Sequence, residues 1–103
     1  MDKIAGLTEI LQLDPKNSFA RYGLAMALAG RGATAEALAE FDTLQANDPD
    51  YTSGYFMAAQ TLASSGRTQE ARERLKAGIA CATRMGNSHA ISEMQAMIDE
   101  LEM

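Results

Sequence analysis

The feature that most constrains the fold is an internal repeat, in which residues of similar chemistry recur 34 positions later along the chain. Pro15 recurs as Pro49, and Gly32 recurs as Gly66. The remaining matches fall at apolar positions and helix starts: Tyr22 with Phe56, Ala25 with Ala59, Leu28 with Leu62, Ala29 with Ala63, Thr34 with Thr68, Glu36 with Glu70, Ala37 with Ala71 and Phe41 with Leu75. A fixed period of this length predicts stacked supersecondary units, because a single unit cannot bury its own apolar face.

Composition indicates that these units are helical. The chain of 103 residues is 47% hydrophobic, but aromatic residues make up only 6% and Trp is absent. Val is absent as well, so residues that favour strands are scarce. Ala, Leu and Met dominate the apolar fraction, and all three favour helices. We therefore expect one all-α domain over residues 1–103.

Breakers and capping residues predict six helices. The first should end before Asp14, because the residue that precedes a proline avoids the helical region. Asn17 or Ser18 should cap the second helix, and Thr34 and Thr68 should cap the third and the fifth. The expected helices cover residues 2–13, 18–30, 34–48, 52–65, 68–85 and 88–103.

A period of 34 with a helix-turn-helix unit closed by proline resembles the tetratricopeptide repeat (TPR). The resemblance depends on two sets of residues, one in each repeat: Leu24, Ala25, Leu28, Gly32, Ala37, Phe41 and Pro49, then Tyr55, Ala59, Leu62, Gly66, Ala71 and Leu75. It implies a solenoid of antiparallel helix pairs in a right-handed superhelix. Residues 18–49 and 52–85 would be full repeats, 2–14 the second helix of a truncated repeat, and 88–103 a capping helix. Thr83 stands where the family has proline, which should let the fifth helix run longer.

Charge and composition exclude several classes of partner. Nine basic and fourteen acidic residues give a net charge of −5, which disfavours binding to phosphate backbones and hence to nucleic acid. No apolar run approaches the ~20 residues of a membrane span. The first three residues lack the layout of a signal peptide. Because the single cysteine, Cys81, cannot form an internal disulfide, we expect a reducing compartment, with the cytoplasm as the default.

Cys81 and His89 are the residues that invite a catalytic interpretation, as a thiol nucleophile and its base. No third orienting group or oxyanion-hole motif accompanies them. Cys81 lies in the apolar segment 79–82, where a cysteine is typical as a small core residue. One Cys and one His also provide too few ligands for a metal. We therefore predict no enzyme activity, no metal site, no cofactor and no small-molecule substrate.

The resemblance also implies a binding site, because the first helix of each TPR unit lines a concave groove. Carried over by position, the groove residues are Tyr22, Met26, Ser53, Phe56 and Gln60, with His89 or Ser92 from the capping helix. Chaperone-binding members clamp a terminal carboxylate with Lys and Asn at positions that here hold Tyr22, Met26, Phe56 and Gln60. That clamp is absent, so the resemblance implies a non-catalytic scaffold for an apolar peptide or a partner helix. Alternatively, Tyr22 and Phe56 pack on each other and present only their edges.

Self-association is the second functional hypothesis. A truncated first repeat would leave Ile4 and Leu7 on an apolar amino-terminal edge, and exposed apolar patches usually mark contacts. A homodimer could use this edge or the groove itself. The sequence thus leaves two kinds of partner open: a peptide or helix of another protein, and a second copy of the chain.

Overall fold

The computed structural model describes residues 2–103, which form six α-helices and no strands. The helices are α1 (Lys3–Leu13), α2 (Ser18–Gly30), α3 (Thr34–Asn47), α4 (Thr52–Ser64), α5 (Thr68–Arg84) and α6 (Ser88–Leu101). The chain divides into two compact units: the first ends at Asp48 and contains α1 to α3, and the second begins at Pro49 and contains α4 to α6. The all-α class predicted from composition is confirmed.

The 34-residue period sets the positions of the helices. α2 and α4 begin at Ser18 and Thr52 and each has 13 residues. α3 and α5 begin at Thr34 and Thr68. In the first unit α2 packs against both α1 and α3, and in the second unit α5 packs against both α4 and α6. Each unit is therefore built from helix hairpins, as the repeat predicts.

The turn inside each hairpin depends on a glycine with positive φ. Gly32 has φ 83° and Gly66 has φ 79°, a region that only glycine enters without strain. The amide that follows each glycine donates to a carbonyl five residues back, Ala33 N to Leu28 O and Arg67 N to Leu62 O, both at 2.9 Å. This is the Schellman arrangement, which satisfies carbonyls at the end of a helix. The two glycines of the repeat therefore end α2 and α4 in the same way.

Helix caps agree with the prediction at α2 but not at α3 and α5. Asn17 caps α2, since its side-chain oxygen accepts a hydrogen bond of 2.9 Å from the backbone amide three residues later. Thr34 and Thr68 are instead the first helical residues of α3 and α5, and neither helix has a side-chain cap. The prediction for the two threonines is wrong because the link from the preceding helix is so short. The residue after each Schellman glycine, Ala33 or Arg67, already occupies the N-cap position.

α5 is longer than its counterpart α3, with 17 residues against 14. Thr83 lies at the position equivalent to Pro49, so no proline interrupts the helix there. The predicted extension is confirmed. The helix ends at Arg84, and Met85 forms its C-cap.

Equivalent hydrogen bonds fasten the turns that precede α2 and α4. In the first unit Arg21 Nη2 donates to the carbonyl oxygen of Pro15 at 2.8 Å. In the second unit Tyr55 Oη donates to the carbonyl oxygen of Pro49 at 2.7 Å. Arg21 and Tyr55 are 34 positions apart, as are the two prolines. Two chemically different side chains therefore hold the same turn in the two repeats.

The core consists of large side chains packed among alanines. Phe41 and Leu75, one period apart, are almost completely buried, as are Leu28 and Leu62. Four alanines that recur in the repeat are fully buried too, which lets neighbouring helices approach closely: Ala25, Ala37, Ala59 and Ala71. Each large apolar side chain contributes roughly 1.5–3 kcal/mol on burial. The apolar positions that recur in the repeat therefore form the core.

We expect Tyr55 to ionise at a higher pH than an ordinary tyrosine. Burial of the phenol raises the pKa of Tyr55 above 10.0, the neighbouring Cys81 thiol raises it further, and the Arg84 guanidinium opposes the rise. The folded chain thus holds this proton more tightly than the unfolded chain. The contribution to stability is fully present below about pH 10 and is lost as the pH rises through the higher folded pKa.

Ultraviolet titration of tyrosinate in the wild type and in Tyr55→Phe checks this expectation. The variant should lack the phenol that ionises last, and its free energy of unfolding should fall less steeply above about pH 10. Tyr22→Phe is the control, because that ring is only half-buried. A late ionisation that persists in Tyr55→Phe would contradict the assignment.

Candidate functional site

The exposed face of α2 carries the first group of predicted site residues. Tyr22 and Met26 are both half-buried, and Phe19, nearly one turn before Tyr22, is 79% exposed. Residues spaced by three and four positions share a face of a helix. These three side chains form the α2 row, a continuous stripe of aromatic and thioether groups that solvent can reach.

Phe19 is missing from the sequence-based prediction, although the repeat could have found it. Ser53 was included as a groove residue, and Phe19 stands 34 positions before Ser53. The same period pairs Tyr22 with Phe56. The rule that selects Ser53 therefore also selects Phe19, and the structure shows that this ring is the most exposed member of the α2 row.

The α2 row lies on a helix whose single charge is engaged elsewhere. Arg21 is the one charged residue of α2, and its Nη1 lies 2.6 Å from Glu40 Oε1 on α3. Its Nη2 donates to Pro15, as described above. Because the guanidinium is paired and largely buried, the α2 row offers apolar contact and one phenol group, with no cation to attract a carboxylate.

The second group of predicted residues lies on α4. Ser53 and Gln60 are exposed, and Phe56 between them is half-buried. These residues form the α4 row, and α4 contains no charged residue. The α4 row therefore presents a hydroxyl group and an amide on either side of one aromatic ring, which makes it more polar than the α2 row.

His89 lies at the beginning of α6, where its side chain is exposed. Its Nε2 is 3.2 Å from Glu93 Oε1, one turn later on the same helix. The structure thus brings together Tyr22 with Met26 on α2, and Ser53, Phe56 and Gln60 on α4, whereas His89 makes its polar contact within α6.

Cys81 and His89 lie in very different surroundings. The Cys81 side chain is completely buried on α5, and its Sγ lies 3.4 Å from Thr52 Oγ1 on α4. The thiol is therefore inaccessible to a substrate, while the imidazole is on the surface. Residues 2–103 contain no group of three His, Cys, Asp or Glu side chains arranged to hold a metal ion. None of the helices described here is both long and apolar enough to cross a membrane.

Comparison with known proteins identifies the family. The model of the tetratricopeptide repeat family matches residues 4–58, just over half of the chain. A TPR domain protein from Salinibacter ruber, solved by NMR, is 31% identical, and the match covers 85% of this chain and 89% of that chain with a TM-score of 0.80. No curated protein sequence gives a significant match.

Two further solved structures are similar in fold at lower identity. The TPR2B domain of yeast Sti1, in a complex with pHsp70, is 20% identical, with coverage of 96% and 79% and a TM-score of 0.89. PcrH, in a complex with the chaperone binding region of PopD, is 18% identical, with coverage of 93% and 73% and a TM-score of 0.85. The family match, the Salinibacter relative and the paired helices with their Schellman turns lead to one conclusion: this chain belongs to the tetratricopeptide repeat family.

Proposed function

We propose that the chain is a non-catalytic scaffold that binds a peptide or a helix of a partner protein against the exposed faces of its first helices, the α2 row and the α4 row. The observation that carries the proposal is the α2 row itself, in which the exposed ring of Phe19 stands beside Tyr22 and Met26. Aromatic side chains in such rows are typical anchors of protein interfaces. Membership of the TPR family supports the same function, since two proteins of similar fold were solved with pHsp70 and with a region of PopD.

The chemistry of the rows favours an apolar ligand. Neither α2 nor α4 offers a free cation, so a ligand held mainly by a terminal carboxylate or a phosphate would lack its counter-charge. Bulky apolar side chains of the ligand would instead cover Phe19 and Met26 of the α2 row. We therefore propose a peptide or amphipathic helix with at least one large apolar anchor.

The surroundings of Cys81 and His89 support the absence of catalysis. A nucleophile must reach its substrate, and the Cys81 thiol is enclosed by the core of the second unit. His89 contacts Glu93 and not the thiol. A single buried free thiol is also compatible with the reducing cytoplasm, which we retain as the proposed location.

A binding experiment with a selected peptide tests the proposal. Random 12-residue peptides displayed on phage would be selected against the wild-type chain, and fluorescence polarisation would give the Kd of the best binder. Phe19→Ala should raise that Kd about 10-fold or more, because it removes an aromatic contact of roughly 1.5–3 kcal/mol.

The matched control is Met85→Ala, which removes another exposed apolar side chain, at the end of α5. Its Kd should equal that of the wild type. Affinity that survives both Phe19→Ala and Phe56→Ala in a folded chain would place binding outside the two rows and overturn the proposal.

A further inference from the structure

An apolar stripe runs along α1 beside the side of the helix that faces α2. Leu13 is 89% exposed and Ile10 is 45% exposed, and the half-buried Gly6 precedes them on the same face. Leu11 is buried. Leu7 also points at α2, since a Cβ on Gly23 would lie 3.5 Å from both of its methyl carbons. We call Gly6, Ile10 and Leu13 the α1 stripe.

The α1 stripe differs from the amino-terminal edge expected from the sequence. Ile4 and Leu7 were expected to form that edge, but both are half-buried because their side of the helix faces α2. Comparison with the next repeat shows that the α1 stripe is more exposed than the equivalent face of α3. Ile10 is equivalent to Leu44 of α3, which is only 2% exposed, so a position that is covered in the next repeat is open in α1.

We propose that the α1 stripe packs against the α1 stripe of a second copy of this chain. The two α1 helices would run antiparallel about a two-fold axis at the level of Thr8. Lys3 extends the stripe, and the resulting spacing of 3, 4 and 3 residues over positions 3, 6, 10 and 13 is that of a helix–helix seam. Gly6 would then lie level with Ile10 of the second copy, where its missing side chain leaves room for the isoleucine.

Charge complementarity identifies a second copy as the occupant. The stripe has the cation of Lys3 at one end and the carboxylate of Asp14 at the other, both exposed. In the antiparallel arrangement the Lys3 of each chain lies within about one residue rise, ~1.5 Å, of the level of Asp14 in the other chain. A parallel arrangement would place like charges together. Asp2, at the same end as Lys3, is engaged in capping α1 through the Ala5 amide. The stripe is therefore complementary to itself, as an isologous dimer requires.

Sedimentation velocity over a concentration series tests the proposal. The wild-type chain should shift from monomer to dimer as its concentration rises, and Leu13→Glu should raise the dimer Kd about 10-fold or more. Met85→Glu is the matched control, because it puts the same charge on another exposed apolar residue, and it should dimerise like the wild type. A wild-type chain that stays monomeric to roughly 1 mM, or a dimer that Leu13→Glu leaves intact, overturns the proposal.

A charge exchange tests the antiparallel register. Lys3→Glu and Asp14→Lys should each weaken the dimer, and the two together should restore it. Both changes place a favourable charge at an end of α1, so neither should unfold the helix. If the double variant dimerises as weakly as the single variants, the antiparallel register is wrong. This proposal is independent of peptide binding, since its variants lie on α1 and those of the binding test lie on α2 and α4.

Discussion

Replacing Phe41 with alanine should lower the free energy of unfolding by about 3–5 kcal/mol. Phe41 is the largest of the fully buried side chains, 1% exposed within the first unit. The change removes its packing contacts and leaves a cavity that neighbouring side chains refill only partly. Because a domain of this size is stable by only about 5–15 kcal/mol, the loss would be a large fraction of the total.

Urea denaturation followed by circular dichroism measures this loss, and Phe19→Ala provides the matched control. The same chemical change at the exposed Phe19 should alter stability by no more than about 0.5 kcal/mol. A Phe41→Ala midpoint close to that of Phe19→Ala would contradict the burial of Phe41 in the core.

Replacing Gly78 with alanine should also destabilise the chain, by about 1–3 kcal/mol, through overpacking of the second unit. An added methyl carbon would lie 2.7 Å from Tyr55 Cβ on α4 and 2.5 Å from Met94 Sδ on α6. The methionine side chain can move, but Tyr55 Cβ is fixed to the backbone. The clash should therefore outweigh the gain of about 1 kcal/mol that alanine normally gives within a helix.

The control for Gly78→Ala is Gly23→Ala, because Gly23 also lies within a helix that packs on another. There the added methyl carbon would lie 3.5 Å from the methyl carbons of Leu7, an ordinary van der Waals contact. Gly23→Ala should raise stability by up to about 1 kcal/mol. If Gly78→Ala stabilised the chain as much, α5 could not be packed as closely on Tyr55 and Met94 as the structure shows.

The helix layout could be predicted because its determinants are local. Gly32 and Gly66 permit the positive φ that ends α2 and α4, and each hairpin then repeats after 34 residues. The N-cap residues of α3 and α5 were harder to predict, because Thr34 and Thr68 turn out to be the first helical residues. Their environment depends on how many residues the Schellman turn uses, and capping preference alone does not reveal that number.

The exposure of α1 side chains is a matter of tertiary packing. Ile4, Leu7, Ile10 and Leu13 are all apolar and spread over about half of the helix circumference, so the pattern alone does not show which of them face α2. The hydrogen bonds from Arg21 to the Pro15 carbonyl and from Tyr55 to the Pro49 carbonyl could not be predicted from the sequence either. Sequence comparison of the two repeats pairs a cation with a phenol and gives no reason to expect the same hydrogen bond.

The candidate site follows from position in the repeat more than from chemistry. Tyr22, Met26, Phe56 and Gln60 are predicted because the family resemblance implies that first-helix residues line the binding surface. Phe19 was missed although the period points to it, because its exposure depends on the packing of α2. With Phe19 included, the α2 row is distinctly more apolar than the α4 row. For this reason we propose a ligand with at least one large apolar side chain.

The most direct test of the proposed function is an NMR titration of the isotope-labelled chain with the selected 12-residue peptide. We expect the largest chemical-shift changes at Phe19, Tyr22 and Met26 of α2 and at Phe56 and Gln60 of α4. If the changes were confined to α5 and α6 and left α2 and α4 unaffected, they would contradict the claim that the α2 row and the α4 row bind the peptide.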